Sequence, residues 1–499
     1  MTLSNAISEL NILEKTMHAY RHAMGVLTLD SATCAPAASA PARGETMGVL
    51  GEASYKLLVN PRTEELLQTL REHSGDVDVT LRRRVEVLWD AYQDTTRIPM
   101  DEYVDYTRLC TQADAVWHKA KEESDFASFA PYLEKLVAYN RRFAGYKSGF
   151  AAPYDALLDD YEKGATMAVL DPYFETLRAR LTPLIRAVAE KHAPRTDFLH
   201  LHYPLEDQRR FSQRLMALMG LDPDRCVIGE TEHPFTDGFN RWDVRITTHY
   251  QEYDVSSSMY SVIHEGGHAL YELGIGEDLQ FTCLADGASM GLHESQSRFY
   301  ENLIGRSLPF CKALLPVMQA CFPEQMRGVD AQTLYRAVNV AQPSLIRTEA
   351  DELTYPLHIM IRYELEKRLI AGDMRVAELP EAWNAMYREY LGVEVPNDRQ
   401  GVLQDSHWSG GSFGYFPSYA LGSAYGAQML ERMEREIDVW GPVERGDLRP
   451  VTAWLGEKLH RYGKLLTPAQ ALESVCGAPF DPECYVNYLT RKYTALYNL

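Results

Sequence analysis

The pentapeptide His264-Glu265-Gly266-Gly267-His268 constrains this chain more than any other segment. On an α-helix, residues four apart lie one turn apart on one face, so the two imidazoles can reach a single ion. Two neutral nitrogen donors at that spacing suit a divalent, zinc-like cation. Glu265 then sits beside the ion, placed to take a proton from a water. The flanks read as a largely buried helix. Ser256, Ser257 and Ser258 offer N-caps, Met259, Val262, Ile263, Ala269, Leu270 and Leu273 recur at helical spacing, and Gly274 is a stop. A surface helix with two solvated histidines is the plain alternative. The apolar flanks argue against it, because histidines on a buried helix need partners and a metal is an efficient one.

A catalytic site takes three protein ligands and keeps one position open. Downstream, His293-Glu294-Ser295-Gln296-Ser297-Arg298 opens a second helical stretch through Phe299, Leu303 and Ile304, and the loop from Ile275 to Ala288 can fold it back alongside the first. Glu294 is the favoured third ligand. His293 competes, although its side chain points about 100° away around the helix. Arg298 follows Glu294 by four and shares its face. A cation there looks toward the cleft and would repel a ligand's Lys or Arg, whereas a salt bridge to Glu301 is the simpler role.

The 499 residues allow two or three average domains or one large helical body, and they read as a single catalytic domain over 1–499. A net charge of −20 argues against nucleic-acid and anionic-membrane partners, and it obliges an anionic substrate to find local arginines. Eight cysteines without a C-x-x-C pair resemble reduced thiols. Met1-Thr2-Leu3-Ser4 lacks a basic leader, and no apolar run approaches the ~20 residues of a membrane span. A cytoplasmic protein is expected.

Helical periodicity dominates. It marks Ala6 to Leu27, Arg43 to Leu58, Arg82 to Tyr92, Asp101 to Glu123, Phe129 to Phe143 and Asp171 to Lys191, the last kinked or split at Pro183. Later stretches are Gln332 to Val340, Leu379 to Leu391, Tyr419 to Ile437 and Val451 to Tyr462. The clearest strand signal is Arg241 to Tyr250, just before the HEGGH segment. As an edge strand it could hold an extended peptide by backbone pairing; a small surface hairpin is the alternative.

Two further segments concentrate chemistry. In Ile346-Arg347-Thr348-Glu349-Ala350-Asp351-Glu352, Pro343 suits a helix start, the helix runs past a kink at Pro356 toward Leu369, and Arg347 can pair with Asp351. The segment is too apolar for a solvated face, so Arg347 answers a buried carboxylate, the protein's own or a ligand's. Gly401 to Trp408, followed by Gly410, Gly411 and Gly414, is a polar, aromatic loop that can bring His407 and Tyr415 or Tyr419 toward a reacting centre as oxyanion donors.

Six segments, HPF (His233 to Phe235), DVRIT (Asp243 to Thr247), HEGGH, HESQ (His293 to Gln296), IRTEAD (Ile346 to Asp351) and GVLQDSHW (Gly401 to Trp408), resemble in order and spacing the signature motifs of the thermostable, Taq-type metallocarboxypeptidases. Leu29 and Ala35 depart from that family's Trp and Met near the N-terminus. The resemblance implies a mainly α, zincin-type helical body with a small β-sheet beside a deep active-site groove, and a homodimer. It implies one zinc or cobalt ion per chain on His264, His268 and Glu294, with Glu265 as general base and later proton donor. It further implies Arg347 as the clamp for the substrate's terminal carboxylate, Arg245 as a second cation in the cleft, and His407 and Tyr419 as transition-state donors. The expected activity is removal of single residues from peptide C-termini with broad tolerance. A zinc endo-oligopeptidase, using the same ligands without a clamp, and a metal-binding scaffold without turnover are the alternatives.

Overall fold

The apolar residues that recur every three to four positions give helices almost throughout, and one continuous core runs through most of them. The structure, a computed structural model, describes residues 2–499. The N-terminal helices carry a separate small core built on Leu10, Leu66, Leu67, Val85 and Leu88. The first of them, Leu3–Thr33, leans over the sheet: a Cβ at Gly25 would come within 2.8 Å of the Phe239 ring. No helix among the described residues is long and apolar enough to cross a membrane.

Several expectations need correction. The helix over Met167–Ala189 is not split at Pro183, because Leu177, Leu181, Ile185 and Val188 stay on one buried face and packing holds it together. The IRTEAD segment is not a helix. It holds one 3₁₀ turn, Arg347–Glu349, and the α-helix Tyr355–Ala371 starts only afterwards, with Pro356 in its first turn rather than at a kink. Asp351 enforces the break: its Oδ1 accepts from the backbone N–H of Leu353 (2.9 Å) and Thr354 (3.1 Å), and its Oδ2 from the Thr354 hydroxyl (2.8 Å). It is therefore not paired with Arg347.

The third correction concerns the sheet. Its strands are β1 (Cys226–Glu230), β2 (Thr236–Asn240) and β3 (Asp243–Thr248), in the order β1-β3-β2. The strand signal around DVRIT is β3, the central strand, parallel to β1 and antiparallel to β2. Val244 and Ile246 bury one face fully, which is why β3 sits inside. The strand with an edge on the groove is β2.

The HEGGH helix, Val255–Gly274, is N-capped by Asp254 rather than by the serines: its carboxylate accepts from the Ser256 (3.0 Å) and Ser257 (3.4 Å) N–H groups. The Glu294 helix, Met290–Arg298, lies between this helix and Pro417–Glu436. Glycines set both distances. A Cβ at Gly267 would meet the Gln296 carbonyl oxygen at 2.5 Å, and one at Gly422 would meet the Glu294 Cγ at 2.8 Å. Gly266 also serves packing, since a Cβ there would meet the Met219 side chain at 2.7 Å, and Gly267 lets the Glu294 helix approach.

Candidate active site

Burial of the HEGGH helix turns His264, Glu265 and His268 toward one groove, and the glycine contacts bring Glu294 against them. His264 Nε2 lies 3.7 Å and His268 Nε2 3.5 Å from Glu294 Oε2. One ligand atom from each of the three residues falls within 4.8 Å of the others. Such separations surround a single ion bound at about 2.0–2.2 Å.

The remaining nitrogens have partners. His264 Nδ1 lies 2.8 Å from Glu301 Oε2, while His268 Nδ1 faces His293 Nδ1 at 2.6 Å. The Glu294 helix runs on into a π-helical turn, Phe299–Ile304, which carries Glu301. Arg298 Nε donates to the second oxygen of Glu294 at 2.8 Å, leaving Oε2 for the cluster.

The electrostatics fit a cation. Burial pushes His268 down to about 3, assisted by the neighbouring His293 and His264, so it is neutral and a competent nitrogen ligand. Burial alone lowers His264 too, but Glu294, Glu301 and Glu265 outweigh it and hold a proton there up to about 9. Positive charge is demanded at that point, and a divalent ion meets the demand with a donor set of two imidazoles and a carboxylate. Glu265 is turned aside from the cluster: its Oε2 accepts from the Thr236 hydroxyl on β2 at 2.6 Å. Burial raises its pKa.

The groove has two lobes joined at Glu265, Glu294, Pro234 and Tyr419 and extended along the HEGGH helix. One lobe, about 590 Å³, passes His268 and Glu272 and is walled by residues 234–239, along β2. The other, about 870 Å³, passes Ser257, Ser261 and His264 and reaches Arg347. Arg347 is 7% exposed. Its Nε (2.9 Å) and Nη2 (2.8 Å) engage Asp405 Oδ1, and its Nη1 donates to the Tyr355 hydroxyl at 3.2 Å. A guanidinium has five N–H groups, so one N–H on each terminal nitrogen remains, the fork that binds a carboxylate at two points.

The profile of the carboxypeptidase Taq (M32) metallopeptidase family matches residues 9–493. The chain belongs to that family. It is 41% identical over 491 residues to "Carboxypeptidase 1" of Bacillus subtilis, with 98% of each chain covered. It is 36% identical to "Thermostable carboxypeptidase 1" of Thermus thermophilus, again with 98% of each covered. The crystal structure of an M32 carboxypeptidase from Deinococcus radiodurans superposes with a TM-score of 0.97 at 35% identity, covering 99% of this chain and 100% of that one. The protein is a metal-dependent carboxypeptidase, and the family membership implies a divalent ion.

Tyr419 lines both lobes. His407 lines neither; it stands behind Tyr419, with Nε2 3.3 Å from the tyrosine hydroxyl, and burial lowers it to about 4. Arg245 also stays outside both lobes, paired with Asp243 at 2.8 Å through two contacts and set over the Phe239 ring. Arg298 lines the Arg347 lobe but is held by Glu294 and, at 3.3 Å, by Glu301. Sequence reasoning missed Thr236, Glu272, Glu301 as a histidine partner, and Asp405. Thr236 directly follows HPF, Asp405 sits inside GVLQDSHW, and Glu301 lies seven residues after Glu294, two turns along the same face.

Proposed function

We propose that the enzyme releases single residues from peptide C-termini with broad side-chain tolerance, using one zinc or cobalt ion held by His264, His268 and Glu294. When bound, that ion acidifies a water and polarises the carbonyl under attack. Glu265, oriented by Thr236, takes the proton from the attacking water, keeps it on its carboxyl and hands it to the leaving nitrogen. Tyr419, between the two lobes, donates to the developing oxyanion, and His407 holds the tyrosine hydroxyl. Arg347 takes the terminal carboxylate on its two remaining N–H groups and fixes the register, so that the last peptide bond meets Glu265. The unoccupied fork of Arg347, on the wall of the lobe that His264 and Glu265 also line, is the observation that carries this reading. A reduced, cytoplasmic setting and a homodimer belong to the same reading, supported by the unpaired cysteines and by the family.

Digesting matched peptides with a free or an amidated C-terminus tests it. The amide is expected to resist, and Arg347→Ala is expected to lower kcat/KM for the free acid about 100-fold or more while metal content holds. Ready cleavage of the amide would instead point to an endo-oligopeptidase. Full occupancy without turnover would indicate a binding scaffold.

A further inference from the structure

Asp405 poses a problem for a carboxylate clamp. It touches Arg347 through two nitrogens, at 2.9 and 2.8 Å, and both groups are almost fully buried. Alone, the pair is neutral, and a substrate carboxylate would meet a dipole rather than a charge. A second guanidinium changes the balance. Arg362 Nε and Nη2 lie 2.7 and 2.6 Å from the other Asp405 oxygen. Burial works to raise the Asp405 carboxyl, but Arg362 and Arg347 together hold it well below the usual carboxylate range.

We propose that Arg362, which reaches neither lobe of the groove, is a positioning residue that keeps Arg347 cationic toward substrate by sharing Asp405; this rests on the clamp role given to Arg347. The triad Arg347–Asp405–Arg362 carries a net charge of one positive unit, and of its two guanidiniums only that of Arg347 lines the groove. Arg362 is wholly buried. Its Nη1 donates to the His358 carbonyl at 2.7 Å and lies 3.3 Å from the Tyr387 hydroxyl, and its guanidinium sits 4.5 Å over the Trp383 ring. The imidazoles nearby add no charge. Burial and the two arginines hold His358 far below its usual range, and burial puts His407 at about 4. Stability alone gives little reason for such a triad, since buried ion networks are often no better than apolar packing of the same volume. A binding site that must present one net positive charge at a fixed angle does need it.

The test is a mutant cycle on the metal-loaded enzyme with a free-acid peptide, each variant checked for fold and metal content. Arg362→Met is expected to raise KM about tenfold or more with kcat within about threefold. Adding Asp405→Asn should bring KM back toward wild type, because the amide oxygen still accepts from Arg347 and the amide nitrogen faces methionine instead of a cation. Arg362→Lys keeps the charge but loses the two-point contact with Asp405 and the stacking on Trp383, so its KM should fall between those of wild type and Arg362→Met. If Arg362→Met fails to fold, Arg362→Gln takes its place in the cycle. An unchanged KM in Arg362→Met, a double variant worse than the single one, or an Arg362→Lys defect as large as that of the methionine overturns the proposal. Arg347→Ala separates the two layers. A raised KM there with a flat Arg362→Met removes only this inference, whereas a flat Arg347→Ala removes the clamp and the inference with it.

Discussion

Nδ1 of His268 lies 2.6 Å from Nδ1 of His293, and the far nitrogen of His293 lies 2.7 Å from Glu272 Oε1. Only one proton fits between the two rings. With His268 Nε2 facing Glu294, the His268 Nδ1 carries that proton, His293 accepts it as a hydrogen bond, and His293 Nε2 donates to Glu272. The relay fixes the tautomer and the ring angle of His268, as Glu301 does directly for His264. His293→Leu is expected to weaken metal retention about 10–100-fold in a chelator competition, with Glu294 untouched. An unaltered metal affinity would show that the relay does not set the ligand.

Glu265 is the one side chain of HEGGH, glycines aside, that a bare metal site can spare. Glu265→Gln keeps the Thr236 hydrogen bond on its carbonyl oxygen but cannot take a proton. Turnover is expected to fall about 10²–10⁴-fold with metal content unchanged, measured by elemental analysis beside a peptide digest. Thr236→Val removes the hydroxyl that contacts the Glu265 carboxylate at 2.6 Å and the Glu265 backbone carbonyl at 3.0 Å, and should cost about tenfold in kcat. Comparable turnover in Glu265→Gln would move the proton work elsewhere.

The cluster of His264, His268 and Glu294 was legible in the sequence because its spacing is local. His264 and His268 are fixed by one helical turn, and Glu294 opens the next helix. What could not be read depends on contacts distant in sequence or on exact backbone form. Asp405 meets Arg347 across 58 residues, and Thr236 reaches Glu265 across 29. The IRTEAD segment has helical composition but is broken by Asp351, whose side chain competes for the backbone N–H groups a helix would use. DVRIT alternates well enough to be read as a strand, yet alternation carries no information on edge or centre, which the pairing with β1 and β2 decides.

Arg298 illustrates how a correct face can carry a different task. Its guanidinium bonds Glu294 and Glu301 and lies 4.7 Å over the Tyr355 ring. Two carboxylates already answer its charge, so a bias against basic departing residues is expected to be weak. Arg298→Met leaves both carboxylates buried with less compensation, a loss of about 3–5 kcal/mol when a buried pair is broken. An ion on His264, His268 and Glu294 restores positive charge. The drop in thermal midpoint should therefore be larger in chelator than in the metal-loaded protein, and equal drops in both would sink the argument.

Glu366 gives the fold a pH dependence away from the metal. It is fully buried; its Oε1 accepts from Trp408 Nε1 at 2.7 Å, and its Oε2 from the Tyr154 hydroxyl at 2.7 Å and the Gly414 N–H at 2.8 Å. Burial pushes its carboxyl up to about 7 against those donors. An unfolded glutamate titrates near about 4.3, so between that pH and about 7 the unfolded chain has released a proton that the folded chain still holds. Stability contributed by this group is complete below the unfolded value and is lost as pH rises through the folded one. The loss is about 1.4 kcal/mol per pH unit inside the window, on the order of 3–4 kcal/mol across it. Glu366→Gln cannot titrate, so the variant's stability relative to wild type should improve from pH 4.5 toward 7.5 and then level off. Glu162, also raised to about 7 by burial, has the same sign in both proteins and cancels in the difference. Urea unfolding of the two proteins across that range measures it, and a pH-independent difference would mean that Glu366 is already ionised in the folded state.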